Sequence, residues 1–500
     1  MYNHNPNVRI DVFTHKGDSF RISDGVSYSS TSPLATPVHT AVFSIRGLTL
    51  SKGLGDVSGK PIRDIISNNT LIKCRLADSN GDDWVDFIGS VLRTVEVEVE
   101  VGGAPEKRVE VHVEQIAKEL MDYIIFWHPH IAAKNNLGGA GWLARKKGVL
   151  QSGRPDEVLD NLYKAFINDD YIMRLADGRK LSDVLTTNLE KITDSFAVTP
   201  LSALTNESPL WDLLDRYSDQ PWNELFVSMQ HEKALRESTE TNRARFRPSQ
   251  YADKVGVYLR PTPFDFKDWE NLSNTWGWGF EFDESERMGP GINISREEGT
   301  VYNFFWTVPK GVYTSFDMLS TLYNQSGGQL PIYDAELIKK YGLRRMEKPT
   351  EYVQYVTKEH RDNGGLSPKE RQEYSTKTNT LWKLLIKRTL QLYRWFAYEE
   401  FWSGSITLRG RVGGSKENGI RQGGILRRKS DGMEFYVTNV QQTYEYPGPH
   451  TTTIEVSRGH YPREYRKWWA NIEEKRSNPS SVDLSTKLTK EVLKWFRLYP

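Results

Sequence analysis

Between Asn7 and about Ile116 apolar and polar residues alternate with a period of two, the spacing of strands that keep one face wet. Val91, Val95, Val97, Val99 and Val101 interleave with Thr94, Glu96, Glu98 and Glu100. Gly102, Gly103 and Pro105 turn the chain, after which Val109, Val111 and Val113 alternate with Glu110, His112 and Glu114. Residues 94–115 therefore read as one long hairpin with a six- or seven-residue tip. The stretches 41–50 and 71–92 supply further strands, the second interrupted by turn formers from Asp78 to Asp83. Five or more short antiparallel strands suggest a barrel or a sandwich.

From 116 to about 250 the period changes. IAKELMDYIIFW, PDEVLDNLYKAFI and SPLWDLLDRYS space apolar residues by three and four, and Ser208 before Pro209 reads as a capped helix start. A second β region begins at NELFVSM (223–229), VGVYLR (255–260) and VYNFFWTV (301–308). A helical stretch then fills about 313 to 402; its strongest piece, Leu381 to Phe401, should end near Gly404, where a left-handed cap is sterically cheap. Residues 403–410, 423–428, 434–446 and 451–459 return to strands. The periodicity alone supports two β regions with helices inserted, and no repeat of 20 to 50 residues is visible.

Composition narrows the function classes. With 500 residues, 38% hydrophobic and 26% charged, the chain reads as a globular protein of two to four units. Lys+Arg at 66 balance Asp+Glu at 65, which removes the global pull towards nucleic acid or anionic membranes. Cys74 is the only cysteine and sits among Leu71, Ile72 and Leu76, so it reads as a buried small residue with no disulfide partner. No window approaches the roughly 20 apolar residues of a membrane span, and the start carries no secretory pattern, so assembly in a cytoplasm is expected. The aromatic share, 12% with 15 tryptophans, suits β-rich interfaces.

The chemical motifs miss by spacing. Gly59-Lys60 lacks the glycine spacing and hydroxyl of a phosphate loop. Asp78, Asn80, Asp82 and Asp83 resemble a calcium loop, but Gly81 comes early and the twelfth position is not glutamate. His231-Glu232 has Leu235 where zinc needs a second imidazole, and His128-Pro129-His130 has no further ligand nearby. No catalytic, cofactor or metal site is therefore assigned. Glu281, Asp283, Glu284 and Glu286 could supply a glycosidase carboxylate pair, which makes a cell-wall glycosidase the rival reading. The stretch holding Trp276 and Trp278 could be a sugar platform, making a carbohydrate-binding tail module a second rival, and GILRRK (424–429) could meet phosphates. Solvated loops and interface anchors are the plainer readings of all three.

At the far end KRSNPSS (475–481) reads as a linker, and Asp483 can cap a helix starting at Leu484. Leu484, Leu488, Val492, Trp495 and Phe496 fall on one face of it, with Lys487, Lys490, Lys494 and Arg497 mostly around the other. So short a helix needs its apolar face covered, and these five residues are the candidate partner-binding site.

Four segments taken together resemble the central baseplate hub protein of contractile-tail bacteriophages, related to type VI secretion spike hubs. They are DFIGSVLRTVE (86–96); SPLWDLLDRYSDQPWNELFV (208–227) with LRPTPFD (259–265); VYNFFWTVP (301–309); and SGSITLRG (403–410) followed by Ile420-Arg421, Gly423, EFYVTNVQQTYEY and TTTIEVSRGHY. The resemblance implies a β-rich α+β chain with two tail-tube-like antiparallel β-barrels, helical insertions and a C-terminal helix. Its divisions would be a first barrel at 1–120, an insertion at 121–205, the second barrel split between 206–310 and 403–461 around an insertion at 311–402, and an extension at 462–500. It also implies a homotrimer adapting a sixfold tail tube to a threefold spike, without catalysis or cofactor. Its partners would be the tail tube, central spike, tape measure and wedge or other baseplate proteins, with DNA only as passing cargo and no stable membrane association, in the tail baseplate of a virion assembled in the host cytoplasm. No spike-like repeat or lysozyme segment is recognisable, so a spike or cell-wall enzyme would come from separate chains.

Overall fold

The computed structural model describes residues 7–14, 17–51, 54–77, 83–101, 104–125, 153–167, 175, 180–193, 208–229, 254–274, 278–296, 301–309, 331–350, 383–410 and 419–477. The first alternating region forms β1 (Asn7–Phe13), β2 (Ser19–Ile22), β3 (Val26–Pro33), β4 (Thr40–Arg46), β5 (Leu71–Ala77), β6 (Asp83–Val101) and β7 (Ala104–Gln115). They pair antiparallel in the order β3-β4-β7-β6-β5-β1-β2. Their inward residues, among them Ile10, Tyr28, Phe43, Cys74, Phe87 and Val111, share one apolar cluster. Burying each large apolar side chain contributes about 1.5–3 kcal/mol.

The hairpin β6–β7 is there, with a difference that matters later. A bulge between Val91 and Arg93 shifts the register, so Val91 still faces Val113 and is buried, whereas Val95 faces Glu110 and Val97 faces Arg108. One extra residue moves every later side chain to the other face. Val95, Val97 and Val99 therefore leave the core face that alternation alone would give them. Val99 is 37% exposed.

Between the two β regions lie β8 (Ile124–Ile125), β9 (Leu185–Leu189), β10 (Ser208–Pro209), β11 (Asn223–Met229) and β12 (Val255–Pro261). Ser208 and Pro209 pair with β8 instead of opening a helix; Pro209 becomes the cap residue of the helix Leu210–Tyr217, with no side-chain cap bond. The segment from Ile116 is helical only to Asp122. The helix Pro155–Ile167 forms as its spacing predicts. Strands β11 and β12 pair with each other, and β12 pairs in parallel with β9, making a separate three-stranded sheet. They are buried on both faces: Leu225, Val227, Val257 and Leu259 meet the helical layer, while Phe226 and Tyr258 point into the second apolar core.

Of the span 206–310 the large sheet takes only β13 (Gly279–Phe282) and β14 (Arg287–Arg296). The strand β15 (Phe304–Pro309) instead pairs with β16 (Ile332–Tyr333) and β17 (Arg345–Thr350). The predicted helix at 381–401 is helical over 383–396 and stops short of Gly404. Tyr398 and Phe401 turn away to pack against Tyr465 of the helix Pro462–Ser477, the first edge-to-face and the second tilted. Gly404 lies inside β18 (Trp402–Arg409) at φ 148°, and a Cβ there would stand 2.0 Å from the Asn293 carbonyl oxygen. Since that neighbour is backbone, Gly404→Ala is expected to lower stability by roughly 1–3 kcal/mol or more, read as a fall in the denaturant midpoint at constant m-value.

The remaining strands are β19 (Ile425–Arg428), β20 (Glu434–Tyr444) and β21 (His450–His460). They pair in the order β14-β18-β21-β20-β19-β13 around a core that includes Phe282, Ile406, Leu426, Phe435 and Ile454. The two β regions expected to stand apart are joined: β20 pairs antiparallel with β3, from Asn439 opposite Pro33 to Tyr444 opposite Tyr28. The result is one 13-stranded sheet over two distinct apolar clusters. β20 makes the join because it is long. Its start pairs with β19, and beyond a bulge between Val437 and Asn439 the rest is free to meet β3.

Candidate assembly interface

The halves of the sheet share one strand order. In sequence, β3, β4, β5, β6 and β7 pair as β3-β4-β7-β6-β5; β14, β18, β19, β20 and β21 pair as β14-β18-β21-β20-β19, every pair antiparallel. The in-chain seam between the halves carries buried polar groups. Asp86 accepts a hydrogen bond from Tyr28 Oη at 2.7 Å, and Arg421 reaches across to it at 3.7 Å. Gln422 Nε2 donates to the Val227 carbonyl at 2.5 Å and lies 3.4 Å from His39 Nε2. Burial pulls the His39 imidazole down to about 3, so it is neutral at neutral pH.

A second lock holds the middle sheet to the second half. Arg260, 1% exposed, donates from Nε and Nη2 to Glu224 Oε2 at 3.1 and 2.9 Å, and from Nη2 to the Gly423 carbonyl at 2.5 Å. Tyr436 Oη donates to Glu224 Oε1 at 2.5 Å. The guanidinium stacks over Phe226 and Trp278, 5.0 and 4.9 Å from their ring centres. Arg458 is buried nearby over Trp395, and its burial lowers its pKa to about 10. Arg388 pairs with Asp219 in the same buried fashion and stacks on Trp222.

The sequence-derived candidates fall as follows. Leu484, Leu488, Val492, Trp495 and Phe496 lie outside the described residues, as do Trp276, His128, His130, His231 and Asp78 to Asp82. Glu281 reaches Arg427 at 3.9 Å, and Glu284 reaches Arg428 at 3.8 Å and Ser430 at 3.4 Å. Asp283 accepts hydrogen bonds from the Ser285 backbone and hydroxyl, which hold its carboxyl below the usual range. That is a capped, solvated turn; the acid of a glycosidase needs the opposite shift. Trp278 is fully buried between Phe226 and Tyr258, so it offers no face to a sugar. Arg427 and Arg428 have Glu281 and Asp431 beside them, which accounts for the basic cluster within the chain. Among the described residues no three acidic, His or Cys side chains gather as metal ligands, and no helix is long and apolar enough to cross a membrane.

Arg260, Glu224, Tyr436 and the Asp86–Arg421 pair were not legible in the sequence, because their partners are separated by 36 to 335 positions. The signal that could have found the first was LRPTPF itself, an arginine in an otherwise buried strand.

No protein-family model matches the chain, and no curated protein matches it in sequence. Solved structures similar to it are phage tail proteins and type VI secretion components, the group its segments resemble. The 43 kDa tail protein of prophage MuSo2 from Shewanella oneidensis is 11% identical over 90% of this chain and 98% of its own, with a TM-score of 0.48. A tail protein from Neisseria meningitidis MC58 is 8% identical over 90% and 96%, with a TM-score of 0.44. The c3393 protein of E. coli, a component of the type VI secretion system, is 8% identical over 88% and 74%, with a TM-score of 0.37.

Proposed function

We propose that the chain is a non-enzymatic hub of a contractile phage tail baseplate. Three copies form a ring that matches a sixfold tail tube on one side and a threefold spike on the other. The observation that carries this is the repeated strand order: two topologically equal halves per chain turn three copies into six similar units. Each half wraps its own apolar core, as one tube-like barrel would. The partners are the tail tube, central spike, tape measure and wedge or other baseplate proteins, with DNA passing through. The segment bearing Leu484, Leu488, Val492, Trp495 and Phe496 docks on a neighbouring hub subunit or another baseplate protein.

Native mass spectrometry of the full chain at micromolar concentration is expected to give a trimer, and negatively stained particles a ring with six similar lobes. A monomer at all concentrations overturns the reading. So does peptidoglycan clearing that is lost on changing Glu281, Asp283, Glu284 and Glu286 to their amides.

A further inference from the structure

Near its end β21 carries one residue more than either neighbour. Val456 and Gly459 face Gly404 and Trp402 of β18, while Ser457 and His460 face Tyr436 and Glu434 of β20. Arg458 therefore stands opposite no residue on either side. Its φ is 54°, in the left-handed region that residues with a β-carbon enter at a cost. A bulge of this kind re-aims a side chain. Here the guanidinium lies over the rings of Trp395 and Phe396, 4.0 and 5.3 Å from their centres.

The partners of that guanidinium are incomplete. Nη1 donates to Ser457 Oγ at 3.2 Å and Nε is buried without a hydrogen-bond partner. Arg260 has Glu224 and Arg388 has Asp219, but Arg458 forms no ion pair with a carboxylate among the described residues. The groups placed to support its charge are Tyr436, Glu224 and Tyr465. Both tyrosines stay neutral at pH 7, since burial raises them. Glu224 already accepts from Tyr436 Oη and from Arg260 Nε and Nη2. Two buried guanidiniums thus share one carboxylate, and a buried charge without a counter-charge is costly.

We propose that the Nε–Nη2 edge of Arg458 binds a small carboxylate, either a free ion or the side chain of an aspartate or glutamate on another chain. With a face of the planar group over aromatic rings and Nη1 on Ser457, this edge is the part left for hydrogen bonds. Its two N–H groups form a fork that matches the two oxygens of a carboxylate. One negative charge also balances the excess of one guanidinium over the carboxylate of Glu224. The residue as a whole is half-buried, so the site lies near the surface.

The local sequence supports a placed side chain over a passive one. A left-handed position in a bulge is the usual place for glycine, yet the glycine here is the next residue, Gly459. A Cβ on Gly459 would stand 2.5 Å from the Phe435 ring and 3.0 Å from Trp402 Cβ, so close packing fixes that glycine one place later. Arg458 takes the strained conformation, and strain held at a single residue marks a position where the side chain's direction matters. The site is independent of how many copies assemble.

The test uses sodium formate with the full-length chain, ionic strength being held constant with a bulky sulfonate. Carbon-13 formate should show line broadening that saturates, and the melting temperature should rise with formate and level off. Arg458→Lys keeps the charge and loses the fork, so the apparent affinity should fall about tenfold or more; Arg458→Met should abolish binding. Native mass spectrometry separates the two sources. A mass unchanged by formate identifies a free ion as the occupant, and copies or partners released both by formate and by Arg458→Lys identify a side chain of another chain. A wild type that is monomeric yet binds formate keeps this site while the multi-copy reading fails. No saturable formate signal, together with an assembly state that Arg458→Lys leaves unchanged, overturns the site.

Discussion

Glu224→Ala should be among the most damaging single substitutions in the described structure, costing about 3–5 kcal/mol. Glu224 is the carboxylate that faces Arg260, and it also contributes to the field felt by Arg458. Both guanidiniums are fully buried. Burial pulls the Arg260 pKa down, but Tyr436 and Glu224 more than offset it and the net shift is upward. Removing the carboxylate leaves two buried cations near one another; Arg260 keeps its hydrogen bonds to the Gly423 carbonyl and Tyr436 Oη and its stacking on Phe226 and Trp278, and Arg458 keeps its stacking on Trp395. These contacts are present before and after the substitution, so they do not offset the loss of the carboxylate. Replacing both members, Glu224→Ala with Arg260→Met, should recover much of the loss, since apolar side chains of similar volume often substitute for a buried pair at little cost. Chemical denaturation of the two single variants and the double variant gives the coupling. A Glu224→Ala loss under about 1 kcal/mol would mean that water reaches the network.

Most strands of the large sheet were legible as period-two stretches, and the hub resemblance rested on several of them. Their partners were not. Val91 to Val101 look like a single amphipathic strand, but one bulge sends Val95 and Val97 to the opposite face, and no local signal marks it. The β11 and β12 stretches have nearly continuous apolar runs because both faces are covered, by helices on one side and the second core on the other. Read alone, they were placed in the neighbouring barrel. Gly404 looked like a helix cap because Leu381 to Phe401 is apolar at helical spacing, yet the glycine is needed where β18 passes close to Asn293. The candidate residues from Leu484 to Phe496 fall outside the described chain. The locks built on Arg260, Arg388 and Asp86 depend on contacts between distant parts of the sequence, which periodicity does not record.

Mild acid should loosen the protein between pH 6.5 and 4.5. Two histidines drive this. His39 sits at the seam, 1% exposed, where burial lowers its pKa to about 3, opposed by a hydrogen bond with the Pro33 backbone and aided, less strongly, by Arg421. His460 lies among Trp269, Tyr465 and Phe401, with Nδ1 2.8 Å from the Arg458 carbonyl, and burial lowers it to about 4. In the unfolded chain both return to 6.5. A folded pKa below the unfolded one means that the unfolded state binds more protons in between, so stability is fully present above pH 6.5 and falls as pH falls. Since each imidazole is half protonated in the unfolded chain at pH 6.5, the fall to pH 4.5 costs about 2 kcal/mol for each histidine. Asp268 works the other way: burial and the neighbouring Asp265 raise it to about 6, so protonating it as pH falls regains about 2 kcal/mol. Glu119, Glu190, Asp215 and Glu434, also raised by burial, act in the same sense as Asp268. The histidines outweigh these, leaving a net loss of about 1–2 kcal/mol at pH 4.5 relative to pH 6.5. Asp11 and Asp431, held low by arginines, contribute their own losses only nearer pH 4 and below. Thermal melts across the window should show the fall, and His39→Gln with His460→Gln should flatten it even if the double variant is less stable throughout. A melting temperature that holds steady or rises from pH 6.5 to 4.5 in the wild type would show that these imidazoles are reached by water, and that the seam at His39 is open.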